Sequence, residues 1–316
     1  MVFFFKMTQS VPFKNLHMSI FLVFFTAFIW SSSFAISKLA IDSSAPLFVT
    51  GSRMILAGVI LAGVTYYKER SLRLPRSIYM PIFLLSLSGF YLANVCEFVG
   101  LRGLTSSKAC FIYGLSPFIS ALFSYIQLKE TITWKKTIGL FLGLFGYISY
   151  LFFGGEGGLW TWQIGYSELL LLLATCFSAF GWTLLRKIEK NTTLSVGIIN
   201  VYAMLIAGIL SLLHSMCVEN WDPVPVSDSK LFLYSIVGLV VISNLICYNL
   251  YAKLLRQFSS TFLSFCSLVM PLFSAFYGWL LLGENFSLSL LLAVSFMVIG
   301  CRMIYHEEFR QGYIVS

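Results

Sequence analysis

The sequence predicts an all-α integral membrane protein with ten transmembrane helices, arranged as two inverted repeats of five helices each. Three observations lead to this fold class: ten long apolar segments, an uneven distribution of positive charge between loops, and an internal repeat with a constant spacing. The composition agrees, because 58% of the 316 residues are hydrophobic and only 11% are charged. A soluble domain carries about 25% charged residues, so this chain has too little polar surface to cover a fold in water.

Each apolar segment approaches the roughly 20 residues that a helix needs to cross the hydrocarbon core of a bilayer. The predicted spans are 18–38, 46–67, 78–98, 105–128, 134–154, 166–186, 194–216, 230–251, 258–282 and 286–305. The loops between them are short, and the N-terminal apolar run is too short for a signal peptide. We therefore expect four parts: an N-terminal tail (1–17), a first five-helix unit (18–154), a second unit (166–305) and a C-terminal tail (306–316).

Positive charge sets the expected orientation, because short cytoplasmic loops carry an excess of Lys and Arg. Of the 21 Lys and Arg residues, 16 fall in the tails or in loops on the side of the tails. Only Lys38, Arg102 and Lys230 fall on the opposite side, while Arg53 and Lys108 lie within predicted helices. We therefore expect both termini in the cytoplasm, and we interpret the net charge of +8 as a topology signal and not as a nucleic-acid surface.

The internal repeat has an offset of 154 residues over the third, fourth and fifth helices of each unit. The matched pairs are Leu101 and Leu255, Arg102 and Arg256, Ser106 and Ser260, Pro117 and Pro271, Ser120 and Ser274, Leu128 and Leu282, Glu130 and Glu284, and Gly146 and Gly300. A unit with an odd number of helices must enter the membrane from the other side when it is duplicated, as in many secondary transporters. Three lysines of the first unit accordingly have uncharged partners in the second: Gly283, Ser289 and Leu290.

The paired prolines and glutamates, together with the first-helix motif F-I-W-S-S-S-F-A-I-S-K (28–38), resemble one family. It is the EamA type of the drug/metabolite transporter superfamily, and the resemblance covers about residues 20–305. The resemblance implies a ten-helix bundle with a cavity between the repeats, in which helices 5 and 10 lie at the periphery. It also implies secondary transport of a small polar or zwitterionic metabolite across a bacterial cytoplasmic membrane. Similar members import S-adenosylmethionine, so its uptake in exchange for S-adenosylhomocysteine is the expected activity.

Charged residues inside the membrane are costly and are therefore candidates for substrate binding. Arg53 lies about two turns into the second helix, Glu97 is expected to close the third, and Lys108 is expected to open the fourth. These groups gather on the side away from the termini. Snorkelling to the interface and a structural pair between Arg53 and Glu97 are the alternatives. For Lys38, at the expected end of the first helix, snorkelling is the preferred interpretation.

Uncharged polar and aromatic groups complete the predicted binding site: Trp30, Ser33, Asn94, Tyr113, Trp182, Asn244 and Tyr248. Asn94 and Tyr248 occupy equivalent positions in the two repeats, which would place them near the axis that relates the repeats. Aromatic faces can hold a cation, although an interfacial aromatic belt is an alternative. S-Adenosylmethionine would offer a sulfonium to the aromatic rings, an amino group to Glu97, a carboxylate to Lys108 or Arg53, and an adenine edge to Asn94 or Asn244.

Enzyme, metal and cofactor motifs are not expected. All three aspartates lie in predicted loops, the three histidines are far apart, the seven cysteines are scattered, and no P-loop motif occurs. Transport must then be driven by exchange, an ion or the substrate gradient. A proton-coupled amino-acid or drug exporter remains an alternative, as does a non-transporting receptor or intramembrane enzyme. The expected partners are the metabolite and the lipid bilayer, with a possible homodimer because Gly139, Gly143 and Gly146 share one helix face.

Overall fold

The computed structural model of the chain describes residues 16–104, 109, 112–153, 165–270, 272–273 and 289–314. Within those ranges the chain forms ten helical elements, which we number in chain order. They are α1 Leu16–Ser43, α2 Pro46–Glu69, α3 Arg76–Gly103, α4 Ser116–Leu128, α5 Trp134–Phe153, α6 Tyr166–Asn191, α7 Val196–Val218, α8 Ser229–Leu255, α9 Ser260–Val269 and α10 Ser289–Arg310.

Six of these helices are long and apolar enough to cross a bilayer: α1, α2, α3, α6, α7 and α8. Their mean hydropathy over 18 residues is between 1.7 and 2.3. The prediction of an all-helical integral membrane protein is therefore confirmed. Elements α4, α5, α9 and α10 lie in the other four predicted spans, and parts of those spans fall outside the described residues.

Several helices continue beyond the predicted ends, which corrects the placement of two candidate residues. Helix α1 continues to Ser43 and α3 to Gly103, so neither Lys38 nor Glu97 closes its helix. Lys38 was expected to snorkel to the interface. Instead its Nζ donates hydrogen bonds to the carbonyl oxygens of Leu101 at 3.0 Å and Leu104 at 2.8 Å. Carbonyls at a helix C-terminus lack partners within the helix and favour a cation, so Lys38 ties α1 to the end of α3.

Two helices contain a wide π-helical turn, a feature that the sequence pattern did not predict. The turns are Ser86–Leu92 in α3 and Leu239–Cys247 in α8. They lie about 154 residues apart, the offset of the sequence repeat. Such turns are rare and frequently occur at functional sites, because they change which side chains face a neighbouring helix.

Glycines allow several helix pairs to approach closely. Helix α2 packs on α7, where a Cβ built at Gly51 would lie 2.6 Å from Leu212 and one at Gly58 would lie 2.7 Å from Leu205. Helix α5 packs on α10, where a Cβ at Gly139 would lie 2.8 Å from Ile304. Gly143 in turn faces Phe265 of α9. Two of the three glycines that suggested dimerisation therefore serve contacts within the chain.

Both ends of the described chain lie on one side of the helical bundle, which we call the terminal side. Ile20 and Phe24, near the start of α1, line one groove together with Arg302 and Tyr305, near the end of α10. The opposite side is called the far side. There the turn between α1 and α2 meets the loop between α7 and α8, because Ser44 forms an antiparallel bridge with Val226.

The far side is joined by backbone hydrogen bonds and by a helix cap. Ala45 N donates to Pro225 O at 3.0 Å. The Glu219 carboxylate accepts from the backbone N–H groups of Leu47 at 2.8 Å and Phe48 at 2.9 Å. A carboxylate at a helix N-terminus satisfies free N–H groups and complements the helix dipole. The cap therefore fastens the start of α2 to the end of α7.

The crossing of α3 and α6 generates a test of this packing. A Cβ built at Gly89 would lie 2.8 Å from the Gly181 Cα, and backbone cannot move aside as a side chain can. We expect Gly89→Ala to lower the melting temperature in detergent by about 3–8 °C, the effect of overpacking a helix contact. Gly63→Ala is the matched control, because no heavy atom lies within 4 Å of its built Cβ. Equal melting temperatures for the two variants would contradict the close crossing.

Candidate binding cavity

A cavity of about 840 Å³, which includes its open mouth, lies between α1, α2, α3, α4, α6, α8 and α9. Eight of the ten predicted binding residues line it: Trp30, Ser33, Arg53, Asn94, Glu97, Tyr113, Trp182 and Tyr248. Asn244 lies behind the wall, in contact with Arg53. Lys108 lies outside the described residues. The structure therefore brings together side chains from α1, α2, α3, α6 and α8 that are far apart in the sequence.

Among the predicted site residues that the structure describes, only Arg53 is both charged and almost fully buried, with 2% of its surface exposed. Its Nη2 donates to Asn94 Oδ1, and its Nη1 donates to Asn244 Oδ1 at 3.5 Å. The guanidinium carbon lies 4.7 Å from the centroid of the Phe98 ring, a cation–π contact. Among the described residues no carboxylate oxygen lies within 4.0 Å of its nitrogens, and Nε has no hydrogen-bond partner there.

Glu97 supplies the negative charge of the cavity. Its Oε2 accepts a hydrogen bond from the Tyr113 hydroxyl at 2.8 Å, which links α3 to the start of α4. Since both Glu97 and Arg53 are described and form no ion pair within 4.0 Å, the structural pair considered from the sequence is not formed. The cavity therefore presents a separated cation and anion, an arrangement suited to a zwitterion.

An amide and phenol network lies beside Arg53. Asn94 Nδ2 donates to Phe90 O at 2.7 Å and to the Tyr248 hydroxyl at 3.3 Å. Asn244 Nδ2 points at Met54 Sδ at 3.1 Å, which leaves its oxygen turned to Arg53. These side chains follow or belong to the π-helical turns of α3 and α8. The wide turns therefore help to place three polar groups from two helices around one guanidinium.

Four aromatic rings form a continuous wall of the cavity. Trp30 and Trp182 meet at 6.0 Å between ring centroids, and Tyr248 lies 5.5 Å and 5.4 Å from them. Tyr251 completes the group at 4.6 Å from Trp182. These rings lie deep in the protein and pack against each other, so they are not an interfacial belt. Their faces can attract a cation by about 0.5–2 kcal/mol.

Sequence reasoning did not identify several lining residues. They are Phe34, Ser37, Gly89, Ala93, Phe98, Ser116, Ser120, Ser178, Ala179, Ser243, Tyr251, Ser264, Ser267 and Met270. The repeat could have indicated Tyr251, because it is the equivalent of Glu97 at the offset of 154. The serines carry no such signal, since a serine in a membrane helix more often serves close packing. Ser33, for example, lines the cavity while its hydroxyl donates to Trp30 O at 2.7 Å.

The chemistry of the cavity is that of recognition. Within the described residues no group of three His, Cys, Asp or Glu side chains could hold a metal ion. The cavity instead combines one guanidinium, one carboxylate, hydroxyls, amides and an aromatic wall.

Comparison of the sequence with known proteins identifies its family and its relatives. The sequence model of the EamA-like transporter family matches residues 17–152 and 165–306. The S-adenosylmethionine/S-adenosylhomocysteine transporter of Chlamydia muridarum (strain MoPn / Nigg) is 64% identical over 316 residues, covering 98% of this chain and 99% of that protein. The protein of the same name from Chlamydia trachomatis serovar D is 64% identical over 302 residues, covering 95% and 92%.

More distant relatives agree on the fold. The uncharacterized transporter YoaV of Bacillus subtilis (strain 168) is 22% identical over 87% of this chain and 92% of its own length. A crystal structure of another protein superposes with a TM-score of 0.73 at 18% identity, over 92% of this chain and 97% of that one. At that identity the superposition supports the fold alone.

No carboxylate is paired with Arg53 in the described part of the chain, and this generates a test that needs no substrate. Asn94→Asp would place a carboxylate where the amide oxygen now accepts from Arg53, so a buried charge gains an ionic partner. Because the new ion pair must also offset the lost Nδ2 hydrogen bonds to Phe90 O and Tyr248, we expect the melting temperature to stay within about 2 °C of the wild type. In the matched control Asn200→Asp, a carboxylate would face the Asn249 side chain with no cation paired to it, and we expect the melting temperature to fall. A drop of equal size in both variants would contradict the unpaired state of Arg53.

Proposed function

Since this chain belongs to the EamA-like transporter family, we propose that it exchanges S-adenosylmethionine for S-adenosylhomocysteine across a bacterial cytoplasmic membrane. Family membership confirms the prediction of a multi-pass membrane transporter that is not an enzyme. The observation that carries the choice of substrate is that the buried Arg53, which has no carboxylate partner among the described residues, shares one cavity with an aromatic wall. The guanidinium suits the α-carboxylate, and the rings suit the sulfonium. The names of the two Chlamydia relatives support the same choice.

Both proposed substrates carry an α-carboxylate and an α-amino group, which the separated charges of the cavity match. The carboxylate would accept hydrogen bonds from Arg53, and the ammonium would lie at Glu97, beside Tyr113. An Arg–carboxylate contact that uses two nitrogens is strong and directional. Lys108, the other predicted carboxylate partner, lies outside the described residues. An amino-acid head group has one carboxylate, so it does not need a second cation beside Arg53.

The aromatic wall would receive the rest of the substrate. The sulfonium of S-adenosylmethionine is a weakly hydrated cation, which suits the faces of Trp30, Trp182 and Tyr251. Hydroxyls such as Ser120 and Ser264 offer partners for the ribose and for the adenine edge. The predicted adenine contact with Asn94 or Asn244 is less favoured, because both amide oxygens already face Arg53.

We further propose ten transmembrane helices in two inverted units, 18–154 and 166–305, with the tails 1–17 and 306–316 in the cytoplasm. Three observations support this arrangement. The two π-helical turns recur at the repeat offset, the equivalent residues Asn94 and Tyr248 touch, and the family model matches the chain in two stretches. The two units would rock around the cavity to expose it to each side in turn. A homodimer stays a prediction.

A proton-coupled exporter of amino acids is the second candidate, because Arg53 and Glu97 would bind any α-amino acid in the same way. Export of drugs finds less support in a cavity with a fixed cation. The aromatic wall distinguishes the first two candidates, since a small amino acid leaves it unused. The intramembrane receptor or enzyme loses its support with the family assignment.

The first functional prediction concerns Arg53. In proteoliposomes preloaded with unlabelled S-adenosylmethionine, we expect the wild-type chain to accumulate the labelled form by counterflow. Arg53→Gln should reduce the rate about 30-fold or more, because a buried charge–charge contact to the substrate is lost. Arg102→Gln is the matched control, since Arg102 is exposed near the end of α3.

Decarboxylated S-adenosylmethionine sharpens this test. In the wild-type chain this compound, which lacks the carboxylate, should compete poorly against labelled S-adenosylmethionine. In Arg53→Gln the two compounds should compete about equally well. Full counterflow in Arg53→Gln, or accumulation of a labelled amino acid under a proton gradient instead, would contradict the proposed exchange.

The second functional prediction concerns the aromatic wall. Trp182→Leu should weaken inhibition by S-adenosylmethionine about 2- to 30-fold more than inhibition by S-adenosylhomocysteine, because only the former offers a cation to the ring. Competition against labelled substrate measures both affinities in the same vesicles. Trp134→Leu is the control, since Trp134 is 77% exposed at the start of α5. Equal losses for both compounds would place the sulfonium elsewhere.

A further inference from the structure

A second cluster of charged side chains lies on the terminal side, outside the binding cavity. Glu130 Oε1 lies 2.8 Å from Arg186 Nη1 and 3.5 Å from Lys190 Nζ. The other pairs are Lys136 with Glu308 at 2.5 Å and Arg256 with Glu189 at 3.7 Å. We call these residues the terminal-side network: Glu130, Lys136, Arg186, Glu189, Lys190, Arg256 and Glu308. Its lysine, arginine and glutamate side chains are buried, apart from Lys190 and Arg256.

The network joins the two halves of the chain. Glu130 follows α4 and Lys136 lies on α5, whereas Arg186 lies on α6 and Glu308 on α10. Helix α6 was expected to end at residue 186 but continues to Asn191, and in its last turns Arg186 and Glu189 are buried whereas Lys187 and Lys190 are exposed. Closure on this side therefore depends on ion pairs, whereas the far side is joined by backbone hydrogen bonds.

A polar seam leads from the cavity to this network. Ser120 lines the cavity on α4, and one turn further Ser124 shares a hydrogen bond of 2.7 Å with Ser260 of α9. Gln127 follows on the same face of α4 and donates to Thr183 Oγ1 at 3.0 Å. Glu130 comes next. A substrate that leaves towards the terminal side would pass along these hydroxyls and amides, so the network closes the end of the path.

The chain segment after α10 folds back over the network. The Tyr313 carbonyl accepts a hydrogen bond from Arg186 Nη2 at 2.8 Å, and the Tyr313 hydroxyl accepts one from Thr131 N at 2.8 Å. The Lys136 Nζ lies 5.9 Å from the centroid of the same ring. Gln311 Nε2 donates to Thr131 Oγ1 at 2.9 Å, and Ile314 is buried. Residues 311–314 thus contact both halves at once.

We propose that residues 311–314 are a strap that holds the terminal-side network closed and slows opening of the transport path on that side. The network needs such support, because several of its polar atoms lack hydrogen-bond partners within the described residues: Arg186 Nε, Glu130 Oε2 and both oxygens of Glu189. Buried ions with unmet hydrogen bonds are destabilised relative to the same ions in water. Removal of the Tyr313 carbonyl leaves Arg186 with a further N–H group that has no acceptor. The equilibrium between the closed network and an open, hydrated network then shifts towards the open one.

Thiol labelling tests the strap without any substrate. Ser124→Cys places a reporter thiol at the closed seam, where Ser124 is fully buried. A membrane-impermeant maleimide is applied to intact cells or to everted vesicles, and mass spectrometry of the peptide that carries residue 124 isolates this thiol from the native cysteines. Truncation after Gln311 removes residues 312–314 of the strap, including Tyr313. Truncation after Ile314 is the matched control, because it leaves the Tyr313 contacts in place.

We expect truncation after Gln311 to raise the labelling rate about tenfold or more over the control, from the face that carries the termini only. An unchanged rate would overturn the strap, and so would an equal rise from both faces, which indicates loss of the fold. Tyr313→Phe provides a second variant in case the truncated chain does not fold. It removes only the hydroxyl bonds to Thr131, and we expect a smaller rise of about threefold. An unchanged rate in that variant would also count against the strap.

The effect of the strap on the rate of transport rests on the proposed exchange, whereas its effect on closure of the terminal side does not. Truncation after Gln311 should speed counterflow of labelled S-adenosylmethionine where opening on the terminal side limits the rate. If the control truncation moves no S-adenosylmethionine but labelling at residue 124 still rises, the proposed substrate fails and the strap stands. If counterflow is normal and labelling does not respond, the strap fails and the proposed function stands.

Discussion

A buried guanidinium, with no carboxylate paired to it among the described residues, is the constraint on which the cavity depends. Arg53 sits between two amide oxygens and the face of a phenylalanine ring, and these neutral groups only partly replace water. A buried ion carries a penalty of several kcal/mol even after the protein relaxes. The structure that holds Arg53 in place includes the π-helical turns in α3 and α8 and the close packing of α2 on α7. The stability of these elements must offset the penalty. A ligand carboxylate would relieve it.

The two sides of the molecule are closed by different kinds of interaction. On the far side, Ala45 and Glu219 take part in backbone hydrogen bonds and a helix cap, which tie the α1–α2 turn to the α7–α8 loop. On the terminal side, closure depends on buried charges that bulk water solvates well once they are exposed. Ionic closure is therefore easier to reverse, because the open state regains hydration as it loses each pair. Opening on the terminal side would therefore cost less free energy than opening on the far side.

The sequence could predict a helical membrane protein and many of the residues that line the cavity, because two signals were strong. An arginine inside an apolar helix is rare enough to mark a site, and the repeat offset linked Asn94 to Tyr248, which do touch. Other features depend on packing that no local pattern encodes. The hydrogen bonds of Lys38 to the carbonyls at the end of α3 depend on how α1 and α3 pack, and the π-helical turns have no residue signature. Tyr251 was missed because an aromatic residue near a predicted helix end equally suits a membrane interface.

The separated charges of the cavity also favour exchange over transport without exchange. Without substrate, Arg53 and Glu97 are separated, and neither has an ionic partner among the described residues. Closing the cavity without substrate would therefore bury two unpaired charges. A zwitterionic head group supplies a carboxylate to one and an ammonium to the other, which lowers the energy of the closed, water-free state. Either S-adenosylmethionine or S-adenosylhomocysteine meets this requirement, because their head groups are identical. The loaded carrier would then change sides faster than the empty one, and each substrate that enters would depend on another that leaves.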